Sequence, residues 1–141
     1  MATREVVVTS GAGLIQTIQT GNHLLLADEA VELGGQDAGP DPYELLLASL
    51  GACTSITVRT YANRKGWPLK QVKVRLEHWK VQAAGGNGKG GAVDEIKKVL
   101  LLEGVLSNVQ RDRLRDVAEK CPIHRTLAKS VRIRTLLETE S

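Results

Sequence analysis

The chain has 141 residues, with 42% hydrophobic and 25% charged residues. This is the composition of one globular domain and excludes a globally disordered chain. The 19 Lys and Arg residues nearly balance the 16 Asp and Glu residues, and the only aromatic residues are two Trp and two Tyr. Because a nucleic-acid-binding groove needs clustered basic residues and usually aromatic stacking platforms, we expect no nucleic-acid partner.

Membrane and secretion signals are weak in this sequence. No apolar run reaches the ~18 residues that a membrane span needs, and the N-terminus lacks the apolar core of a signal peptide. We therefore expect no membrane partner and a cytoplasmic location. The two cysteines, Cys53 and Cys121, are too few for a disulfide scaffold, and in a reducing cytosol they would normally stay thiols.

The first quarter of the chain has the pattern of an antiparallel meander. Three short β-branched or apolar runs, 4–9, 14–20 and 23–27, are separated by turn residues such as Gly21-Asn22. We place the N-terminal strands within residues 4–33.

A long central helix is predicted over residues 42–65. Asp41 can act as the N-cap, Pro42 suits the first helical position, and Glu44 completes an Asp-x-x-Glu capping box. The run from 43 to 62 carries few charges, so the helix would be apolar over most of its circumference and therefore buried.

Two strands are predicted within residues 70–104. The first has alternating apolar residues that end at His78, where the alternation weakens or a bulge intervenes. The glycine-rich stretch 84–91 lacks the spacing of a phosphate-binding loop, so we interpret it as a hairpin tip.

The last part of the chain contains a helix over 107–120, a Cys-Pro segment over 121–129 and a last strand over 130–137. Ser107 and Gln110 match a Ser-x-x-Gln capping box at the start of that helix. Together the elements predict a single α+β domain over residues 1–141, with antiparallel sheets around a long buried helix.

The two cysteines differ in their local chemistry. Cys53 lies 53 − 41 = 12 positions past the predicted cap of its helix, beyond the reach of the helix dipole. Cys121 directly precedes Pro122, with Lys120 and Arg125 nearby, and a helix N-terminus beside basic residues favours a thiolate. Local physics alone therefore nominates Cys121 as the more acidic thiol, although two buried, inert cysteines remain the plain alternative.

The segment from Cys121 to His124 also has the residue types of a metal site or of a Cys–His catalytic pair. Cys121-x-x-His124 offers one pair of ligands, whereas a structural zinc needs four ligands, usually as two pairs. A catalytic Cys–His pair would need a third orienting group, and none is evident. We predict no metal and no cofactor.

Two motifs resemble the signatures of the OsmC/Ohr family, the osmotically inducible and organic hydroperoxide resistance proteins. The stretch GPDPYELLLA at 39–48, followed by Gly-Ala-Cys at 51–53, is similar to the first signature, and Cys121-Pro122-Ile123-His124 is similar to the second. The separation of 121 − 53 = 68 residues and the order of the elements also fit. The pattern is closer to the less-characterised OsmC-like branch.

The resemblance implies an OsmC-like fold built as an intertwined homodimer with its active sites at the dimer interface. It implies that Cys53 attacks an organic hydroperoxide and becomes a sulfenic acid, that Cys121 converts it to a disulfide, and that a dithiol reductant, lipoyl in the best-studied branch, restores both thiols. The implied function is a thiol-dependent peroxidase in oxidative-stress defence. The alternative is a non-enzymatic dimer that binds a small ligand or senses redox state.

The sequence departs from the characterised branches at two positions. Those branches carry a Glu directly after the signature Pro, whereas here Tyr43 intervenes and Glu44 follows. We carry Glu44 over as a third catalytic candidate. On a continuous helix it would face away from Cys53, so contact would need a break near Gly51.

The second departure concerns the Arg that steadies the thiolate in those branches. It comes from the N-terminal strands, but this chain has no Arg between Arg4 and Arg59. Arg59 or Arg125 could substitute only through the tertiary fold.

Overall fold

The computed structural model describes residues 3–82 and 91–138. It is an α+β fold with antiparallel sheets and a long central helix, which confirms the predicted fold class. The predicted hairpin tip at 84–91 lies outside the described residues except for Gly91. The strands are β1 (Val7–Ser10), β2 (Gln16–Thr20), β3 (His23–Ala27), β4 (Leu69–Gln82) and β5 (Ala92–Gly104), and the helices are α1 (Pro42–Lys65), α2 (Asn108–Ala118) and α3 (Pro122–Ala128).

The chain divides into two compact units, Met1–Ala48 and Ser49–Ser141. The first unit contains the antiparallel meander β1-β2-β3. After β3 the chain turns around the carboxylate of Asp28, which is only 2% exposed. The one-domain organisation over 1–141 stays a prediction.

In the second unit β4 and β5 form a long antiparallel hairpin. From Val72 to His78 the alternate side chains of β4 are half-buried, and those between them are exposed. The pairing continues through His78↔Ile96, and the irregularity lies between Leu69 and Gln71. The predicted weakening of the alternation at His78 is confirmed, because Trp79 and Lys80 are both exposed and Val81 is half-buried, whereas the alternative of a bulge there is wrong. His78 Nε2 lies 2.8 Å from the Asp94 carboxylate.

The core of this unit lies where α1, α2 and the start of β4 pack together. Its buried side chains are those of Val58, Ala62, Leu69, Leu114 and Ala118. Half-buried apolar side chains of β4 and β5 pack against this cluster, which fixes α1 and α2 relative to the hairpin.

Helix α1 begins as predicted but is buried on one face only. Asp41 and Glu44 form the reciprocal capping box, with N–H to carboxylate distances of 2.8 and 2.9 Å. The buried residues from Leu50 to Ala62 follow a helical spacing, whereas Ile56 is 66% exposed. The predicted central helix is therefore present, and the burial expected of it is found in the single chain on one side of the helix.

By length and mean hydropathy α1 meets the minimum for a membrane span, so the expectation that no segment reaches it is wrong. The criterion is weak, because the core helix of a soluble protein satisfies it as well. The helix carries the buried, hydrogen-bonded hydroxyl of Thr54, and we interpret it as a core helix.

The C-terminal helices follow their sequence signals, but the last predicted strand does not form. Ser107 and Gln110 make the predicted capping box of α2. Residues 130–137 are not a strand, because a strand needs a ladder partner and no strand within 3–82 or 91–138 pairs with them. Their side chains are open to solvent, with Ile133 85% and Leu137 96% exposed.

Candidate thiol site

Cys121 occupies the N-cap of α3. Its backbone is extended, Pro122 follows in the first turn, and its Sγ accepts the backbone N–H of His124 at 3.2 Å. The side chain is fully buried. The sequence prediction of a helix start directly after Cys121 is confirmed.

Cys53 lies in the middle of α1, which runs without interruption through Gly51. A Cβ on Gly51 would stand 2.8 Å from Leu76 Cδ1, so glycine allows β4 to approach the helix closely two residues before the thiol. Cys53 is half-exposed and, like Cys121, is a free thiol. The fold brings the two near each other, because Thr54, the residue after Cys53, has its Oγ1 3.5 Å from Cys121 Sγ.

The surroundings of Cys121 favour its thiolate. Burial alone would raise its pKa, but the hydrogen bonds from Thr54, the His124 N–H and Cys53, together with the positive charge of Lys98, lower the pKa below its usual value. Hydrogen bonds to the charged form and a nearby opposite charge act in the same direction. The prediction that Cys121 has conditions favouring a thiolate is therefore supported by its tertiary contacts.

Lys98 is the charged residue that the sequence analysis missed. Its Nζ lies 3.1 Å from Thr54 Oγ1, 3.1 Å from the Ala118 carbonyl oxygen and 3.0 Å from His124 Nδ1. Burial lowers the pKa of Lys98, although the negative charges of Cys121, Glu119 and Cys53 oppose that shift. The ammonium group therefore stands in the middle of the thiol site.

The two arginines considered as substitutes do not fill this position. Arg59 donates to the carbonyl oxygens of Leu69 and Lys70 at the start of β4. Arg125 lies in the last turn of α3 and is exposed. The cation whose charge acts on Cys121 is Lys98, from β5.

The alternation of inward and outward side chains along β5 could have identified Lys98 from the sequence. In β5 its side chain shares the inward face with Ile96, Leu100 and Leu102, opposite Leu76 of β4. A lysine within an otherwise apolar face indicates a buried partner. The signal is weak in this sequence because Leu101 on the other face is also apolar.

Glu44 belongs to the other compact unit and lies in the first turn of α1. Its carboxylate accepts the backbone N–H of Asp41, so it has a structural role at the start of the helix. Its catalytic role stays a prediction.

Within residues 3–82 and 91–138 no group of three or more His, Cys, Asp and Glu side chains could hold a metal ion. In the Cys121-x-x-His124 motif the Nδ1 atom of His124 contacts the Lys98 ammonium and not a second ligand.

Comparison with known proteins identifies the group to which this chain is related. The model of the OsmC-like protein family matches residues 34–135, a span that includes Cys53, Lys98 and Cys121. The chain belongs to the OsmC-like family. No curated protein matches it.

Solved OsmC-like structures share the fold at low sequence identity. An OsmC-like protein from Mycoplasma pneumoniae is 18% identical with a TM-score of 0.72, and the alignment covers 90% of this chain and 88% of that one. An OsmC-like protein of unknown function from Vibrio cholerae is 16% identical with a TM-score of 0.69, covering 89% and 94%. An organic hydroperoxide resistance protein from Legionella pneumophila is 22% identical with a TM-score of 0.64, covering 90% and 91%. These similarities establish the fold.

Proposed function

We propose that this OsmC-like protein is a thiol-dependent peroxidase that reduces organic hydroperoxides. Cys53 is the nucleophile: its thiolate attacks the O–O bond, the alkoxide leaves and takes a proton to become the alcohol, and Cys53 becomes a sulfenic acid. The Cys121 thiolate then attacks the Cys53 sulfur, hydroxide leaves as water after protonation, and a disulfide remains. A dithiol, of which lipoyl is one example, returns both cysteines to thiols.

One observation carries this proposal: the fold places the Cys121 sulfur against the part of α1 that holds Cys53, with Thr54 Oγ1, one residue after Cys53, 3.5 Å from Cys121 Sγ. Cys53 and Cys121 are 68 residues apart in the chain, yet Cys53 is close enough to contribute to the lowered pKa of Cys121. Cys53 is the more accessible of the two. This arrangement suits a nucleophile that meets substrate and a resolving thiol behind it.

We further propose that the protein works as a cytoplasmic homodimer. Large apolar side chains stay exposed in the single chain, on the meander, on α1 and in the C-terminal segment, for example Leu24, Ile56 and Leu137. Monomeric soluble proteins rarely leave extended apolar surface open to water. Size measurement by sedimentation tests this, and a monomer at micromolar concentration would contradict it.

The decisive experiment is intact mass and free-thiol count after one equivalent of cumene hydroperoxide is added to the reduced protein. We expect the loss of two hydrogens per chain, no free thiols and a Cys53–Cys121 linked peptide. Cys53→Ser should lose turnover, whereas Cys121→Ser should still consume one equivalent and then overoxidise. Full turnover by Cys53→Ser would show that the nucleophile is assigned wrongly.

Unchanged mass with both thiols free would overturn the peroxidase proposal. It would favour a non-enzymatic dimer that binds a small ligand, which a ligand-dependent rise in melting temperature would test. A disulfide that forms and shifts the melting temperature without catalytic turnover would favour a redox sensor.

The predicted catalytic role of Glu44 can be tested separately from its role in the capping box of α1. Gln is also accepted at the third position of a capping box, so Glu44→Gln keeps the helix start and removes the charge. If Glu44 is catalytic, as predicted, this variant loses activity without losing stability. Unchanged kcat and KM would limit Glu44 to capping.

A further inference from the structure

The donors and acceptors around Lys98 fix the direction of the hydrogen bonds in the thiol site. An ammonium group has three N–H donors and no acceptor. Lys98 Nζ has three neighbours that can accept: Thr54 Oγ1, the Ala118 carbonyl oxygen and His124 Nδ1. Each proton of an ammonium group at this position therefore has one potential acceptor.

The same reasoning orients the Thr54 hydroxyl. Its oxygen accepts from Lys98, and it lies 3.5 Å from Cys121 Sγ, so its own proton is available to donate to that sulfur. Cys121 Sγ also receives the backbone N–H of His124. Two groups can therefore donate to the sulfur, and such an arrangement favours a thiolate over a thiol.

We propose that Lys98 and Thr54 form a relay that keeps Cys121 as the thiolate in the reduced protein and makes it the leaving group when the disulfide is reduced. Lys98 and Thr54 are positioning residues, because they act on Cys121 and not on substrate. The first half of the proposal concerns the reduced protein alone. The second half rests on the proposed function, because it assumes that a Cys53–Cys121 disulfide forms in the catalytic cycle.

The charged and titratable groups that act in this site come from four parts of the second unit. Cys53 is on α1, Lys98 on β5, His124 on α3, and Glu119 directly follows α2. Glu119 and both cysteines favour the charged form of Lys98, whereas burial opposes it.

The course of disulfide reduction depends on which sulfur the reductant can reach and on which cysteine is the better leaving group. Cys53 is half-exposed and Cys121 is fully buried, so an incoming dithiol reaches the Cys53 sulfur first. Its thiolate bonds to Cys53 Sγ, the S–S bond breaks, and the electron pair leaves on Cys121. A thiol with a lower pKa leaves faster. The second thiol of the reductant then attacks the mixed disulfide, closes the reductant's own disulfide and releases Cys53, which takes a proton from water.

The first test titrates Cys121 by its thiolate absorbance at 240 nm in a Cys53→Ser background, where it is the sole cysteine. Thr54→Val removes a hydrogen bond to the sulfur and Lys98→Met removes the nearby positive charge, so each should raise the midpoint and lower the ratio of thiolate to thiol by about tenfold. Thr54→Ser restores the hydroxyl and should restore the midpoint. Lys97→Met is the matched control on the exposed face of β5.

Two independent variants keep this test decisive if one of them folds poorly. A midpoint that is the same in Lys98→Met, Thr54→Val and the control would overturn the relay. Circular dichroism at each pH confirms that the fold is retained. This titration uses no peroxide, so its outcome does not depend on the proposed peroxidase activity.

The second test maps which cysteine receives an incoming thiol. The disulfide is formed in the wild-type chain with diamide, glutathione is added, and the mixed disulfide is located by peptide mass spectrometry. We expect the adduct on Cys53. An adduct on Cys121 would overturn the leaving-group assignment. If diamide forms the disulfide and cumene hydroperoxide does not, the peroxidase proposal fails while this assignment is still tested.

Discussion

Asp28 and Lys98 are two charged groups held away from water in different ways. Asp28 accepts three backbone N–H groups from its own loop, those of Glu29, Gln36 and Ala38, all within ten residues. Lys98 has partners that lie 20 to 44 residues away in the chain. One group organises a loop, and the other joins α1, α2 and α3 to β5.

The pKa of both groups is lowered, but this shift favours the charged form of Asp28 and disfavours the charged form of Lys98. For Asp28, burial raises the pKa and the three backbone hydrogen bonds outweigh it, so folding favours the charged carboxylate. For Lys98, burial lowers the pKa, so folding disfavours the charged ammonium. The comparison separates a charge that stabilises the fold from a charge retained at a cost beside a reactive thiol.

Asp28→Ala should give the largest loss of stability. It leaves three backbone N–H groups without their acceptor, and we expect the ratio of folded to unfolded chains to fall by more than about tenfold. Urea unfolding measures the loss, and hydrogen exchange should accelerate at Gln36 and Ala38. Glu32→Ala, an exposed change in the same loop, is the control. Unchanged protection of both amides would contradict the role given to Asp28.

The acid dependence of stability should come partly from the same carboxylate. Because its pKa is lower in the folded chain, the unfolded chain binds the proton first, and the stabilisation present above about pH 4 is lost as the pH falls. Asp28→Asn should flatten this part of the unfolding profile. Hydrogen bonds from His78 and Lys80 also lower the pKa of Asp94, so Asp94→Asn is measured in parallel. A profile for Asp28→Asn parallel to wild type would contradict the assignment.

A local contact of ordinary size is the Ser107–Gln110 capping box. Ser107→Ala removes the side-chain acceptor of the Gln110 N–H and should lower the free energy of unfolding by about 1 kcal/mol. Urea unfolding measures it against Ser130→Ala, an exposed serine outside any helix. Equal stability of the two variants would show that the cap contributes nothing measurable.

The distance between partners along the chain also explains what the sequence could predict. The capping boxes at Asp41 and Ser107 and the helix start after Cys121 involve residues within three positions, and all three are present. The relay from Lys98 to Cys121 depends on partners from other elements, which periodicity cannot locate. Only the family motifs indicated that the two cysteines meet.

Two differences between the predicted and the observed structure have one physical cause. The one-sided burial of α1 and the unpaired segment 130–137 both concern apolar surface for which the single chain provides no cover. Periodicity identifies a segment that can be buried, but it does not say which surface buries it. A second copy of the chain is the cover that we propose.

Lys98→Met should have the smallest effect on stability, although it removes the charge from the thiol site. Met fills a similar volume, and the folded chain no longer holds a disfavoured ammonium, so we expect the free energy of unfolding at pH 7 to stay within about 1 kcal/mol of wild type.

The stability of Lys98→Met should differ more clearly from that of wild type at alkaline pH. Because the pKa of Lys98 is lower in the folded chain, the unfolded chain holds more protons in the window below about pH 10.4, and wild-type stability should rise with pH there. The lowered pKa of Cys121 acts in the same direction. Lys98→Met should flatten the rise relative to Lys97→Met, and parallel profiles for the two variants would mean that Lys98 titrates alike in the folded and unfolded chains.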